Sequence, residues 1–178
     1  MKGMSNVYHY MYPPYPYPYY AQMPDPSNPN RVRFEDQGKK PFVINIEQAA
    51  EQNQTFRTAI WTGDHLQVTL MSINPGEDIG LEVHRNVDQF LRIEEGQGWV
   101  QMGPQRDRLN FQRAVFEDDA IMVPAGTWHN IINTGYQPLK LYSIYAPPEH
   151  PFGTVHRTKR DAIRKEKDNF PQIKNRPP

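Results

Sequence analysis

The chain contains no cysteine. Disulfides and thiolate metal sites are therefore excluded, and any metal must be held by nitrogen and oxygen ligands. Long apolar runs are missing too, and nothing approaches the roughly 18 residues of a membrane-spanning helix. Lys2 is not followed by an apolar stretch of the secretory type, so no signal peptide is expected and the location reads as cytoplasmic. There is no excess of basic residues, since 20 Lys and Arg balance 20 Asp and Glu. Residues 41–155 are acidic, with 7 basic against 14 acidic side chains, whereas 156–178 carry 8 against 3. An acidic body with a short basic tail lacks the basic face that nucleic acid requires, and the tail reads as a solvated helix face. No phosphate-cradling glycine loop, dinucleotide fingerprint or Ser-His-Asp order is found.

Apolar residues make up 37%, below the usual share of about 45–50%. The deficit is local. Seven of the ten tyrosines lie between Tyr8 and Tyr20, alternating with Pro13, Pro14, Pro16 and Pro18. Proline fixes φ and removes a backbone donor, so this stretch suits neither a helix nor a central strand. Residues 1–40 are expected to be a disordered Tyr/Pro-rich leader, extended and available for attachment to a surface assembly.

From Pro41 the pattern changes to short apolar or alternating runs between turn residues. Residues 43–54 read as a short strand and a short helix. Phe56–Trp61, Leu66–Ile73, Gln89–Ile93, Trp99–Met102, Ala120–Val123, Asn130–Ile132 and Leu139–Tyr145 read as strands. Asn74-Pro75-Gly76, Pro124-Ala125-Gly126 and Asn133-Thr134-Gly135 are among the turn signals between them. Many short strands without a long core helix predict an all-β sandwich or barrel over 41–155. Residues 158–169 read as a helix with Thr158 and Asp161 as a weak capping box, making 156–178 a basic C-terminal helix and tail.

The chemistry sits between these strands. Glu82 and His84 are two apart, and in a strand such residues face the same side. Gln89 opens the next run and shares the apolar face of Leu91 and Ile93, while Asp88 falls on the other face. His129 follows the tight turn 124–126. Two histidines with a carboxylate are ligand types that suit Mn, Fe, Zn, Ni or Co, and Gln89 would add an amide oxygen. Glu94-Glu95 reads as a solvated hairpin turn. Phe90, Trp99 and Trp128 are candidates for the barrel mouth, or plain packing.

The spacing resembles the two motifs of the cupin family. The first, G-x5-H-x-H-x(3,4)-E-x6-G, aligns with Gly76, Glu82, His84, Gln89 and Gly96. The second, G-x5-P-x-G-x2-H-x3-N, aligns with Asp118, Pro124, Gly126, His129 and Asn133. The run PGEDIGLEVHRNVDQFLRIEEGQG is similar to a bacterial subgroup described as mannose-6-phosphate isomerase-like. The resemblance implies a single jelly-roll β-barrel holding one divalent transition metal ion through Glu82, His84, Gln89 and His129. It departs from the family in carrying Glu at the first His position and Gln at the Glu position, so one carboxylate is kept but no specific activity transfers.

The resemblance implies a metal-dependent enzyme on a small oxygen-rich molecule, of isomerase or dioxygenase type. The rival readings are a structural cupin attached through a leader that resembles those of spore-coat proteins, and a small-ligand sensor. A homodimer is expected, with residues 43–61 as the candidate for strand exchange.

Overall fold

The computed structural model describes residues 32–169. The Tyr/Pro-rich stretch and the C-terminal prolines lie outside them. Two helices, α1 (Ile46–Gln52) and α2 (Lys159–Asn169), flank ten strands. The strands are β1 (Arg57–Thr62), β2 (Gln67–Ile73), β3 (Glu82–Val83), β4 (Asp88–Glu95) and β5 (Gln97–Gly103). They continue with β6 (Phe111–Phe116), β7 (Ala120–Val123), β8 (Trp128–Asn133), β9 (Leu139–Ala146) and β10 (Val155–His156). They form two antiparallel sheets, a six-stranded one ordered β10-β1-β2-β9-β4-β7 and a four-stranded one ordered β3-β8-β5-β6. These two sheets are the all-β arrangement that the alternating runs predict, and the jelly roll that the resemblance implies.

The sheets close on one apolar core. Met71, Ile73, Leu91, Ile93, Leu139 and Leu141 come from the larger sheet, and Val100, Val115 and Ile131 from the smaller. Each fully buried side chain of this kind stabilises the fold by about 1.5–3 kcal/mol. The register carries the strand period across the sheet: Leu91 pairs with Ser143, which pairs with Thr69, and Gln89 pairs with Tyr145, which pairs with Gln67. Polar residues therefore gather toward one end of the inner face, and aliphatic ones toward the other.

β2 is buried on both faces, with the polar Gln67, Thr69 and Ser72 buried alongside its apolar residues. Leu70 turns outward against Ala49 and Ala50 of α1 and Ile60, a second small core that Val32 and Phe34 also touch. Residues 32–40, included in the leader on composition, lie on this surface. Gln37 N–H donates to Ile60 O at 2.9 Å, and Asp36 accepts from Thr62 Oγ1 at 2.6 Å and from Gly153 N–H.

Residues 43–45 are not the expected strand. Val43 is exposed, and Asn45 caps α1 by accepting from Gln48 N–H at 3.0 Å. β1 lies between β2 and β10 of its own chain. α2 starts as expected: Thr158 Oγ1 accepts from Asp161 N–H and Asp161 Oδ2 accepts from Thr158 N–H, at 3.2 and 3.0 Å. Glu94 is not a solvated turn residue either. It is buried beside Arg92 at 3.0 Å, and burial pushes its carboxyl above the usual range.

Candidate metal centre

The two motifs meet at the end of the smaller sheet. Glu82 in β3 is the Cα partner of His129 in β8, and His129 is in turn the partner of Met102 in β5. His84 follows β3, and its carbonyl accepts from Gly126 N–H at 2.7 Å. That bond ties the first histidine to the turn preceding the second. The turn itself is closed by Thr127 N–H to Pro124 O at 3.1 Å, and Gly126 takes the positive φ of +79° that the sharp reversal requires. Asp88, on the outer face, holds the same turn by accepting from Ala125 N–H at 2.8 Å.

Three of the four expected ligands form one cluster. Candidate ligand atoms of Glu82, His84 and His129 all lie within 4.8 Å of one another. Glu82 Oε1 is 3.4 Å from His84 Nε2 and 3.5 Å from His129 Nε2. Two ligands each about 2.1 Å from an ion lie roughly 3.0–3.4 Å apart, so the spacing is that of a coordination sphere. Glu82 Oε1, His84 Nε2 and His129 Nε2 are all buried, and none makes a hydrogen bond. Unpaired buried polar atoms are costly, so three aimed together fit a bound cation.

The opposite ring nitrogens fix the tautomers. His129 Nδ1 lies 3.0 Å from Thr127 O, so it carries the proton and leaves Nε2 with a lone pair. His84 Nδ1 faces Glu149 Oε1 at 3.2 Å. A carboxylate or carbonyl behind each imidazole is the usual support of a metal-binding histidine. Glu149, in the segment after β9, was not singled out in the sequence because nothing local marks it.

Charge is tightly coupled here. Burial pushes the Glu82 carboxyl up, but His129, His84 and the Arg57 charge outweigh it and hold it well below the carboxylate range. Burial lowers His84, yet Glu149 and Glu82 outweigh that and raise it to about 9.

Gln89 lies inward as its position predicts and is 3% exposed. Its Nε2 donates to Ser143 Oγ at 2.9 Å, and its Oε1 is buried without a hydrogen-bond partner. Of the aromatic candidates, Phe90 packs on Tyr142 with centroids 6.1 Å apart, and Trp128 lies under the Arg106 guanidinium. Trp99 Nε1 donates to Gln112.

Two other motif positions have structural roles. Asn133 Nδ2 donates to Ile73 O and Gln137 O, both at 2.8 Å, binding β8 to the strands around it. Asp118, where the motif has glycine, keeps the left-handed conformation with φ 71°, at a cost of about 1 kcal/mol. Its carboxylate pairs with Arg92 at 2.5 Å.

A family model described as the cupin domain matches residues 69–145. The chain is 71% identical over 130 residues to the uncharacterized protein YrkC of Bacillus subtilis strain 168, covering 73% of this chain and 70% of that one. It is 41% identical over 117 residues to the uncharacterized protein L612 of Acanthamoeba polyphaga mimivirus, covering 64% and 70%. The crystal structure of BH2720 from Bacillus halodurans aligns with a TM-score of 0.73 at 65% identity, over 73% of this chain and 98% of that chain. With both motifs meeting inside a jelly roll and these similarities around them, the chain belongs to the cupin superfamily.

Proposed function

We propose that this cupin binds one divalent first-row metal ion through Glu82, His84, His129 and Gln89 and acts as an enzyme on a small oxygen-rich molecule. One observation carries the reading. Glu82 Oε1, His84 Nε2, His129 Nε2 and Gln89 Oε1 are all buried, and all four lack a hydrogen-bond partner. Two imidazoles, a carboxylate and an amide oxygen are the borderline-to-hard set that first-row divalent ions take.

Such an ion polarises an oxygen ligand or acidifies a bound water. The protein's own part is positional. The Gly126–His84 bond and the Thr127 carbonyl hold the imidazoles, Ser143 orients the Gln89 amide, and the aliphatic core behind them excludes water. Four protein ligands leave room for substrate on an ion of higher coordination number. Isomerisation and oxygenation both remain compatible with that geometry.

The test is elemental analysis of protein purified without chelator, followed by substrate-dependent oxygen uptake and NMR of candidate substrates. About one metal ion per chain with turnover in either assay is expected. Full-length protein without stoichiometric metal would remove the proposal.

A further inference from the structure

The barrel interior carries the metal centre, where the Tyr145 ring also meets His84 edge-on at 5.5 Å. The outer face of the smaller sheet is a different surface. Val100, Met102, Val115 and Ile131 point into the core, so the residues between them point out. Register then fixes how the outward side chains line up. Asn130, Gln101 and Gln112 form one row across β8, β5 and β6. Ile132, Trp99 and Ala114 form the next. Trp128 lies beyond the first row on β8, and Phe116 beyond the second on β6. A row of three carboxamides therefore has an indole on either side. Three strands of this length make a platform of about 20 Å by 10 Å.

Charged residues make up 22% of the chain, yet no outward position of β5, β6 or β8 in these rows carries one. Charge lies at the rim. Arg106, in the turn after β5, sits over the Trp128 ring at 5.9 Å. Asp78, bridged to Ile132, is engaged by Lys159 and by Gly80 N–H. Trp99 is 36% exposed and Phe116 54%. Trp99 Nε1 donates to Gln112 Oε1 at 3.3 Å, and Gln112 Nε2 donates to Leu109 O at 2.9 Å, which holds the indole in place. Asn130 is 8% exposed, and its Oδ1 is buried without a hydrogen-bond partner. The face thus keeps an acceptor that its own side chains leave unused.

We propose that this outer face binds an uncharged glycan chain, with Trp99 as the stacking platform and the Asn130–Gln101–Gln112 row as the hydroxyl-binding groups. A sugar ring has an apolar C–H face that packs on the electron-rich face of an indole. Its hydroxyls both donate and accept, as does each carboxamide. A face without charge fits a partner without charge, and an acidic polymer would find no basic row to meet it. A second copy of the chain fits less well. Two such faces packed together would bury both sets of carboxamides, and each one left unpaired is costly. The cores of protein interfaces are also more apolar than this. The face is independent of the metal centre, because Asn130 and His129 are neighbours on β8 that point to opposite sides of the sheet.

The experiment uses the full chain. Calorimetry is run with cellohexaose, chitohexaose and maltohexaose as uncharged probes and hexagalacturonate as an acidic one. Saturable binding of at least one uncharged hexasaccharide, and none of hexagalacturonate, is expected. Trp99→Ala and Gln101→Ala should each weaken that binding, the tryptophan variant by about tenfold or more. Both side chains lie on the outer face, so melting temperature and metal content should stay as in the wild type.

No binding of any uncharged probe, equal binding of hexagalacturonate, or unchanged affinity in both variants would overturn the proposal. Binding lost with a chelator but kept in Trp99→Ala would put the sugar inside the barrel and overturn it equally. Trp99-dependent binding in metal-free protein would keep the glycan face and remove the metal centre. Light scattering tests the rival occupant. A two-chain mass that Trp99→Ala reduces to one would assign the face to a second copy and remove the glycan.

Discussion

Glu82 and His129 are register partners across the β3–β8 pair, and Glu82 Oε1 lies 3.5 Å from His129 Nε2 without a hydrogen bond between them. A two-residue strand thus brings the first motif against the second. The first prediction follows directly. His84→Ala combined with His129→Ala removes two of three clustered ligands. The double variant should carry no metal by elemental analysis, and added metal, expected to raise the melting temperature of the wild type, should leave that of the variant unchanged. Full occupancy in the double variant would disprove the site.

Glu149 supports His84 from behind at 3.2 Å, and its side chain is one-third exposed. Glu149→Gln should therefore leave the fold intact while weakening metal affinity by about 10–100-fold, the usual effect of losing such a support. Competition with a chelator of known affinity reads this out. An unchanged affinity would show that the carboxylate merely neighbours the imidazole.

His150 predicts an acid sensitivity. Burial and then Arg57 lower its proton affinity in the folded protein to about 2, whereas the unfolded chain takes up that proton near the ordinary 6.5. Its contribution to stability is complete above the unfolded value and is lost as pH falls from there, by about 1.4 kcal/mol per pH unit. Between neutral pH and about pH 5, the wild type should lose roughly 2 kcal/mol more than His150→Asn in urea unfolding. Both proteins carry the same metal ligands, so any loss of metal in acid cancels from the comparison. Parallel pH profiles would refute the assignment.

The fold was legible wherever strand alternation is strong. The seven runs read as strands each overlap an observed strand, with only Phe56 and Leu66 falling one residue outside, because β2, β4 and β9 bury one face completely and cannot tolerate a change of period. β6 escaped because it is an edge strand exposed at Phe111–Ala114, where solvent imposes no pattern. The Val43–Asn45 run read as a strand because β-branched residues favour one, but Asn45 satisfies a helix N-terminus instead. At the site, Glu82, His84 and His129 were legible from motif spacing alone. Glu149, Tyr145 and Arg57 were not, because only the closed barrel brings residues 57, 84, 145 and 149 together.

The last prediction concerns a glycine that no motif marks. Gly103 ends β5 opposite Trp128, one residue beyond the Met102–His129 pair. A Cβ placed on it would lie 1.8 Å from Arg108 O and 2.8 Å from Leu109 Cα. Both obstacles are backbone, so no rotamer change relieves them, and the turn joining β5 to β6 must open. Gly126 offers the contrast: its Cβ would meet nothing within 4 Å, and the cost of alanine there is only the positive φ, about 1–2 kcal/mol. Gly103→Ala should therefore destabilise by about 1–3 kcal/mol or more from overpacking. It should also weaken metal retention, because the displaced end of β5 is hydrogen-bonded to the strand carrying His129. Urea unfolding and elemental analysis on Gly103→Ala and Gly126→Ala measure the two effects side by side. If Gly103→Ala unfolds like the wild type, the β5–β6 turn yields without cost and the close packing described for it is wrong.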